Sequence, residues 1–462
     1  MGIAKADGLC GGVFALKILM ISWEFPPRSV GGIARHVQDL SEALVRGGHD
    51  VTVITADAPE SPEFENVHGV KVWRNYAGTP QARDFLTWVM QLNFAMLQRA
   101  YQLRESGERY DVIHVHDWLG AYTGKVLKHA WRQPLVSTIH ATEWGRNNGL
   151  HNDLQRYISD VEWWLAYESW QVICCSQYMR SELMEVFQIP GDKISIIPNG
   201  VYPEAFQNGP AAEEVRWRFA APDEKVIFHV GRLVREKGLD VLIDALPYVL
   251  SQRSNTKLII AGKGPHAESL AKHARAAGIE NRIYFTGYID DATRNGLYRL
   301  ADVAVFPSLY EPFGIVALEG MAAGTPVIVS DCGGISEVVQ HRVNGFKFAT
   351  GDPKSLATQI LYVLDHPEEM EQIRMNAQQT VMTEYDWDNI AETTLQTYGL
   401  IIDEAAESHW SQKSTLDEED YLPYEGHGFI TSHLRYGEVG PYWETGSEEL
   451  PGVLQQRGPN AQ

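Results

Sequence analysis

Short apolar runs alternate with segments of helical period along most of the chain. Residues 17–22 (KILMIS) have the pattern of a short buried strand. A Pro/Gly loop follows, from Glu24 to Gly32. Ile33, Val37, Leu40 and Leu44 then recur at helical spacing, and Gly47-Gly48 stops that helix. Residues 50–55 (DVTVIT) predict the next strand. The right-handed crossover of such a strand–helix–strand unit implies a parallel sheet. Further strands are predicted over 112–115 and 135–139, with helices over 85–103 and 121–131. Residues 194–200 (ISIIPNG) close this series.

A second series has strands over 226–230, 257–261, 283–286, 303–306 and 327–329. They alternate with helical stretches 239–251, 266–277, 290–299, 315–323 and 354–364. Two series of similar size predict an α/β protein with two doubly wound, Rossmann-like domains facing a central cleft. The expected organisation is a loose extension at 1–16, domains at 17–205 and 206–385, a helix at 386–402 that can cross back, and a tail at 403–462. Gly209-Pro210 and Ala221-Pro222 bracket a charged stretch that reads as a linker region.

Charge and composition narrow the function classes. The 462 residues carry 39 Lys and Arg against 60 Asp and Glu, a net charge of −21. Such a surface repels phosphate backbones and anionic lipid heads, which argues against a nucleic-acid binder or a charge-anchored membrane protein. A locally basic pocket for a small anion remains compatible with it. Cys10, Cys174, Cys175 and Cys332 form no C-x-x-C pair, and this sparse use suits a reducing cytoplasm. No apolar run approaches the ~20 residues needed to span a bilayer. The opening MGIAKADGLCGGVFAL looks superficially like a signal peptide, but Lys17 breaks it and the next segment is needed as a strand. Residues 403–462 hold twelve acids and three bases, with aromatics scattered without period. They read as a mostly irregular acidic tail whose aromatics dock on the body or on a partner.

Several strand-end segments can carry chemistry. Gly31-Gly32 lies at a helix start, where free N–H groups and the dipole suit a diphosphate; an ordinary tight turn is the alternative. His114 and His116 share one face of a strand that ends at Asp117. Two imidazoles and a carboxylate can bind zinc, but no third partner at fixed spacing appears, so cleft contact is favoured. His140 follows a strand at the end that faces the cleft, where it can donate to developing charge. Arg232 and Lys237 flank a turn able to bring both cations onto one phosphate. Glu311 and Glu319 are three-way: sugar-hydroxyl acceptors, an acid/base pair for hydrolysis, or a capping and a surface acid.

Together these segments resemble glycosyltransferase family 4, of the two-domain GT-B fold. The motifs are the Gly31-Gly32 loop, IPNGV at 197–201, GRLVREKG at 231–238, EPFGIVALEG at 311–320 and AAGTPVIVSDCGGISEVV at 322–339. The resemblance covers about residues 17–400. SWEFPP at 22–27, HVHDW at 114–118 and, more loosely, HATEWGRNNGLHNDLQ at 140–155 are similar to the glycogen and starch synthase branch. One departure is Val30, where glycogen synthases usually carry Lys before Gly-Gly.

The resemblance implies a retaining transfer of a hexose from a nucleotide-sugar. Arg232 and Lys237 would hold the diphosphate, and Gly31 and Gly32 would approach it from the other domain. Glu319 would take the ribose hydroxyls and Glu311 would orient the donor sugar, with Phe313, Gly314 and Ile315 completing that side. His140 would touch the donor sugar near the reacting centre. His116, Asp117 and Asn199 would line the cleft. Asp386-Trp387-Asp388 formally matches the D-x-D of metal-dependent transferases, but it opens a predicted helix, where capping is simpler. No essential metal and no cofactor are therefore expected.

The leading expectation is a cytoplasmic α-glucan synthase with ADP-glucose or UDP-glucose as donor and a glucan or oligosaccharide as acceptor. Trp144, Trp163, Trp164 and Trp170 offer stacking surfaces for such an acceptor, or else core packing of a long helix. The alternatives are a transferase to a small or lipid acceptor, a disaccharide phosphorylase, a nucleotide-sugar epimerase and a non-catalytic binding module.

Overall fold

The computed structural model describes residues 15–78, 81–207, 212–408 and 410. The first lobe is built on strands β1 (Lys17–Ile21), β2 (Asp50–Ala56), β3 (Phe64–Val67), β4 (Val70–Asn75), β5 (Val112–His116), β6 (Leu135–Ile139), β7 (Gln171–Cys174) and β8 (Ile194–Ile196). They form one sheet in the order β3-β4-β2-β1-β5-β6-β7-β8. All pairs are parallel except the β3–β4 hairpin at the edge. The second lobe has β9 (Lys225–Val230), β10 (Thr256–Ala261), β11 (Ile283–Gly287), β12 (Val303–Phe306), β13 (Val327–Ser330) and β14 (Phe346–Phe348). Its order is β11-β10-β9-β12-β13-β14, parallel throughout.

The strand orders place the site before any side chain is considered. In each sheet the first strand lies between neighbours reached in opposite directions: β1 between β2 and β5, and β9 between β10 and β12. Loops leaving the carboxyl ends on either side of that reversal diverge and leave a crevice. They are the loops after β1 and β5 in one lobe and after β9 and β12 in the other. These carry Gly31-Gly32, Asp117, Arg232 to Lys237, and Glu311 to Gly314.

Burial explains why the central strands read as unbroken apolar runs. Ile18, Leu19, Met20 and Ile21 are fully buried, because helices cover both faces of the sheet. The helix Trp387–Glu407 returns to the first lobe. Its Trp387, Ile390, Tyr398 and Ile401 pack with Ile18, Met20, Val37 and Leu40. Asp386 caps it, accepting from the Asp388 N–H at 3.0 Å, so the D-x-D match is a helix start. The helix continues to Glu407, so residues 403–407 are helical and not part of an irregular tail.

The expected linker is also corrected. Residues Ala212–Phe219 form a helix that docks on the helix Asp291–Leu300, with Val215 against Gly296 and Phe219 buried. Gly209 and Pro210 lie outside the described residues, as do the first fourteen residues and the tail beyond Trp410. Leu16, assigned to the loose extension, is tied to the sheet by its N–H on His49 Nδ1 at 3.1 Å. No described helix is long and apolar enough to cross a membrane.

Candidate active site

The loop after β1 is organised by a carboxylate. Glu24 is buried, and its Oε2 accepts from the N–H groups of Val30 (2.6 Å) and Gly31 (3.0 Å). The Gly31 N–H is therefore already occupied, contrary to its expected freedom; the anion-binding capacity begins at the helix start that follows. Burial pushes the Glu24 carboxyl up, the two N–H groups pull it down, and the fields of Asp117 and Arg232 both reach it. Glu24 thus stands where the two lobes meet. Nothing in the spacing marks it; only its place after a strand, in SWEFPP, does.

Histidines crowd the floor of the first lobe. His36, on the helix Gly32–Arg46, places Nδ1 2.7 Å from Asn199 Oδ1. His114 is fully committed, with Nδ1 2.6 Å from the Tyr398 hydroxyl and Nε2 2.7 Å from Thr138 Oγ1. His116 Nδ1 lies 3.3 Å from His140 Nε2. Burial holds His36, His114 and His116 well below the usual imidazole value, and mutual repulsion adds to it. His140 is lowered to about 3 by burial and by Arg146. All four are neutral donors or acceptors at neutral pH. The His114–His116–Asp117 set considered for zinc is not a ligand set, because His114 spends both nitrogens inside the lobe.

Asp117 links this floor to the rim. Its backbone has φ +58° and ψ 172°, a strained conformation for a residue with a side chain. The strain aims the carboxylate so that Oδ1 accepts from the His140 N–H at 2.8 Å, while Oδ2 stands 3.8 Å from Arg146. Burial raises its pKa to about 6, against the pull of Arg146 and that N–H. Glu162 takes the Glu143 N–H with both oxygens (3.0 and 2.9 Å), and burial pushes its carboxyl well up.

The second lobe supplies cations and acceptors. Lys237 Nζ is 2.6 Å from Glu311 Oε2, which also accepts from Ser308 Oγ at 3.1 Å. Among the described residues no hydrogen bond falls on Glu311 Oε1, so one carboxylate oxygen remains for a ligand hydroxyl. Arg232 is half-exposed and holds Glu236 loosely, at 3.5 Å. Glu319, on the helix Ile315–Ala322, accepts from Tyr298 OH at 3.0 Å and pairs with Arg294 at 3.3 Å. Gly314 caps that helix at φ +100°, and a Cβ there would lie 2.5 Å from Ile335. Phe313 is buried beside Tyr385, with ring centroids 5.9 Å apart, and so shapes the loop from behind.

The lobes touch at several points. A Cβ on Gly32 would stand 3.3 Å from Ile315 Cδ1, so the first-lobe glycine loop faces the second-lobe helix start. Ser176 Oγ donates to the Pro312 carbonyl at 2.7 Å. The Glu337 carboxylate accepts the N–H groups of Gln177 (2.8 Å) and Tyr178 (2.6 Å) at a helix N-terminus. Tyr310 OH donates to Glu182 at 3.1 Å, beside Gly145. The chemistry of the cleft is thus a floor of neutral imidazoles, a wall with Arg232 and Lys237, and ion-paired carboxylates able to accept hydroxyls. Among the tryptophans, Trp144 is 38% exposed at the rim. Trp163 stacks on Tyr167 (5.4 Å), Trp164 packs on Tyr122 (5.3 Å) and Trp170 stands against Trp410 (5.7 Å), so each of these three is engaged with another ring.

Two family models match consecutive parts of the chain. Residues 30–205 match Glycosyltransferase Family 4, and residues 212–380 match Glycosyl transferases group 1. An uncharacterized glycosyltransferase of Methanocaldococcus jannaschii is 42% identical, over 84% of this chain and 99% of its own. A glycogen synthase of Mycobacterium tuberculosis is 36% identical, over 83% of this chain and 94% of its own. The structure of a sucrose-phosphate synthase from Thermosynechococcus elongatus superposes with a TM-score of 0.72 at 26% identity, over 84% of this chain and all of that one.

Proposed function

The chain belongs to glycosyltransferase family 4, with the GT-B fold, and from that premise we propose that it moves glucose from ADP-glucose or UDP-glucose to an α-glucan with retention of configuration. The observation that carries this reading is the facing of Gly32 and Ile315 across the cleft, with Glu24 in the field of Arg232. A diphosphate between these elements meets a helix start, an arginine and a lysine at once. Its departure builds negative charge, which fixed cations stabilise most in a site that excludes water. Arg232, held only loosely by Glu236, approaches as a fork, and Lys237 turns from Glu311 toward the phosphate.

Glu319 accepts the ribose hydroxyls while Tyr298 and Arg294 hold it in place. Glu311 offers Oε1 to the donor sugar. His140, neutral and anchored through Asp117, donates to the sugar near its anomeric carbon. The acceptor then attacks on the face the leaving group vacated. The 36% identity to a glycogen synthase favours a glucan acceptor, and Trp144 at the rim gives it a stacking surface. Likeness to a sucrose-phosphate synthase keeps a small sugar phosphate as the second reading.

The test is nucleotide release from ADP-, UDP- and GDP-sugars, with and without EDTA, in the presence of glycogen, maltooligosaccharides or small sugar phosphates. Glucan-dependent release of ADP or UDP from a glucose donor, not lowered by EDTA, is expected. Stimulation only by small sugar phosphates transfers the assignment to the second reading. No release with any donor and acceptor overturns both.

A further inference from the structure

We propose that His36, His116 and His140 form a transition-metal site open to the cleft, with zinc the best-fitting ion, and that its occupation inhibits the enzyme. The three side chains each offer a ring nitrogen within 4.8 Å of the other two, the one such group of three among the described residues. His116 Nδ1 and His140 Nε2 are 3.3 Å apart. Zinc–imidazole bonds of ~2.0–2.1 Å at the tetrahedral angle place two ligand nitrogens about 3.3–3.4 Å apart, so this pair already spans one edge of a coordination tetrahedron. With all three nitrogens within 4.8 Å of one another, the third ligand needs a shift of at most about 1.4 Å.

The tautomer of His36 is set correctly for ligation. Asn199 Oδ1 accepts from Nδ1, which leaves the lone pair on Nε2. Such an outer hydrogen bond is what fixes a metal-bound imidazole. The Nε2 atoms of His36 and of His116 are buried with no hydrogen-bond partner. The unpaired Nε2 of His36 is a standing cost that a metal bond would relieve. The donor set is all imidazole, without thiolate or carboxylate, which suits Zn²⁺, Ni²⁺ or Cu²⁺ over Mg²⁺ or Ca²⁺. Asp117 stands beside the cluster through the His140 N–H, and the Arg146 cation also acts on His140.

Ligation would take His140 Nε2 and so hold the imidazole that the transferase reading gives to the donor sugar. The inhibition therefore rests on the transferase reading, whereas the binding does not. A fourth position is left to water, as His140 is only partly covered.

The full chain, stripped with EDTA, is titrated with Zn²⁺ by calorimetry and with Co²⁺ by visible absorption. Wild type and His273→Gln, a control in the Asp240–Asp244 cluster of the second lobe, should hold one tight equivalent and show the intense bands of four-coordinate Co²⁺. His36→Gln and His140→Gln should bind that equivalent about 10–100-fold more weakly and lose the bands. His140 is partly exposed, so this variant keeps the test alive if His36→Gln misfolds. Identical stoichiometry and spectra in all four proteins would overturn the site. Nucleotide release, measured in parallel, should fall with Zn²⁺ and recover with EDTA; release unchanged at saturating Zn²⁺ overturns the inhibition. If no donor gives release, the transferase reading fails while the Co²⁺ spectrum still decides the site.

Discussion

Lys237 and Glu311 make the sharpest energetic case. Their charged atoms are 2.6 Å apart, with side chains 19% and 9% exposed. At an effective dielectric of ~20 the gross attraction is ~6 kcal/mol, most of it offset by desolvation of the two ions. Lys237→Met removes one partner and leaves the Glu311 carboxylate buried, with Ser308 as its remaining side-chain donor. Breaking a buried pair this way costs about 3 kcal/mol or more, whereas removing both charges is close to neutral. Lys237→Met should therefore be less stable than Lys237→Met/Glu311→Gln. With a slope of ~3 kcal/mol per molar urea, the single variant's midpoint should fall by about 1 M, followed by circular dichroism. Both variants should lose roughly 100-fold or more in nucleotide release, because the cation proposed to face the leaving diphosphate is gone. The reasoning is refuted if the double variant is as unstable as the single one. That result would mean the pair contributes through packing and not through charge.

Three further outcomes follow from the geometry. Gly145→Ala places a Cβ 2.5 Å from the Tyr310 ring and 2.6 Å from Glu182, so it should hold the lobes apart, and small-angle scattering should report a larger radius; Tyr310→Ala in the same chain should restore the compact form. Asp117, at about 6, loses its charge and its grip on the His140 N–H as the pH falls, so release should decline below pH 6 in wild type, and Asp117→Asn should flatten that limb. Asp39 is buried and its pKa rises from 3.8 to about 7. The folded state then binds that proton more tightly than the unfolded chain, and stability falls as pH rises from about 4 to 7. Asp39→Asn should gain up to ~4 kcal/mol at pH 8 and almost nothing at pH 4, and equal gains at both would contradict this origin.

How much was legible depends on how far apart the deciding residues lie. The helix Gly32–Arg46 is written in Val37, Leu40 and Leu44, all buried on one stripe. The edge hairpin β3–β4 is not, because Phe64 is exposed and its strand alternates weakly. Gly31, Arg232, Lys237 and Glu311 could be singled out because each follows a strand. His36 could not, since it sits within a helix and its partner Asn199 lies far along the chain. The charged stretch before β9 looked like a linker because its Val215 and Phe219 are too few to show a period. They are buried only through the helix they dock on.

By itself the sequence determined two parallel-sheet domains, a cleft at their strand ends, and the cations and carboxylates that line it. Local rules suffice there: a buried parallel strand must be apolar on both faces, and its carboxyl end must open into a loop. What only the tertiary structure decided is the pairing. It set Glu24 on the glycine loop, Lys237 on Glu311, and His36 beside His116 and His140. It also carried the last helix back onto the first lobe, where Tyr398 holds His114. Hydrogen bonds and ion pairs act within a few ångströms, and chain separation carries no record of which residues folding brings that close.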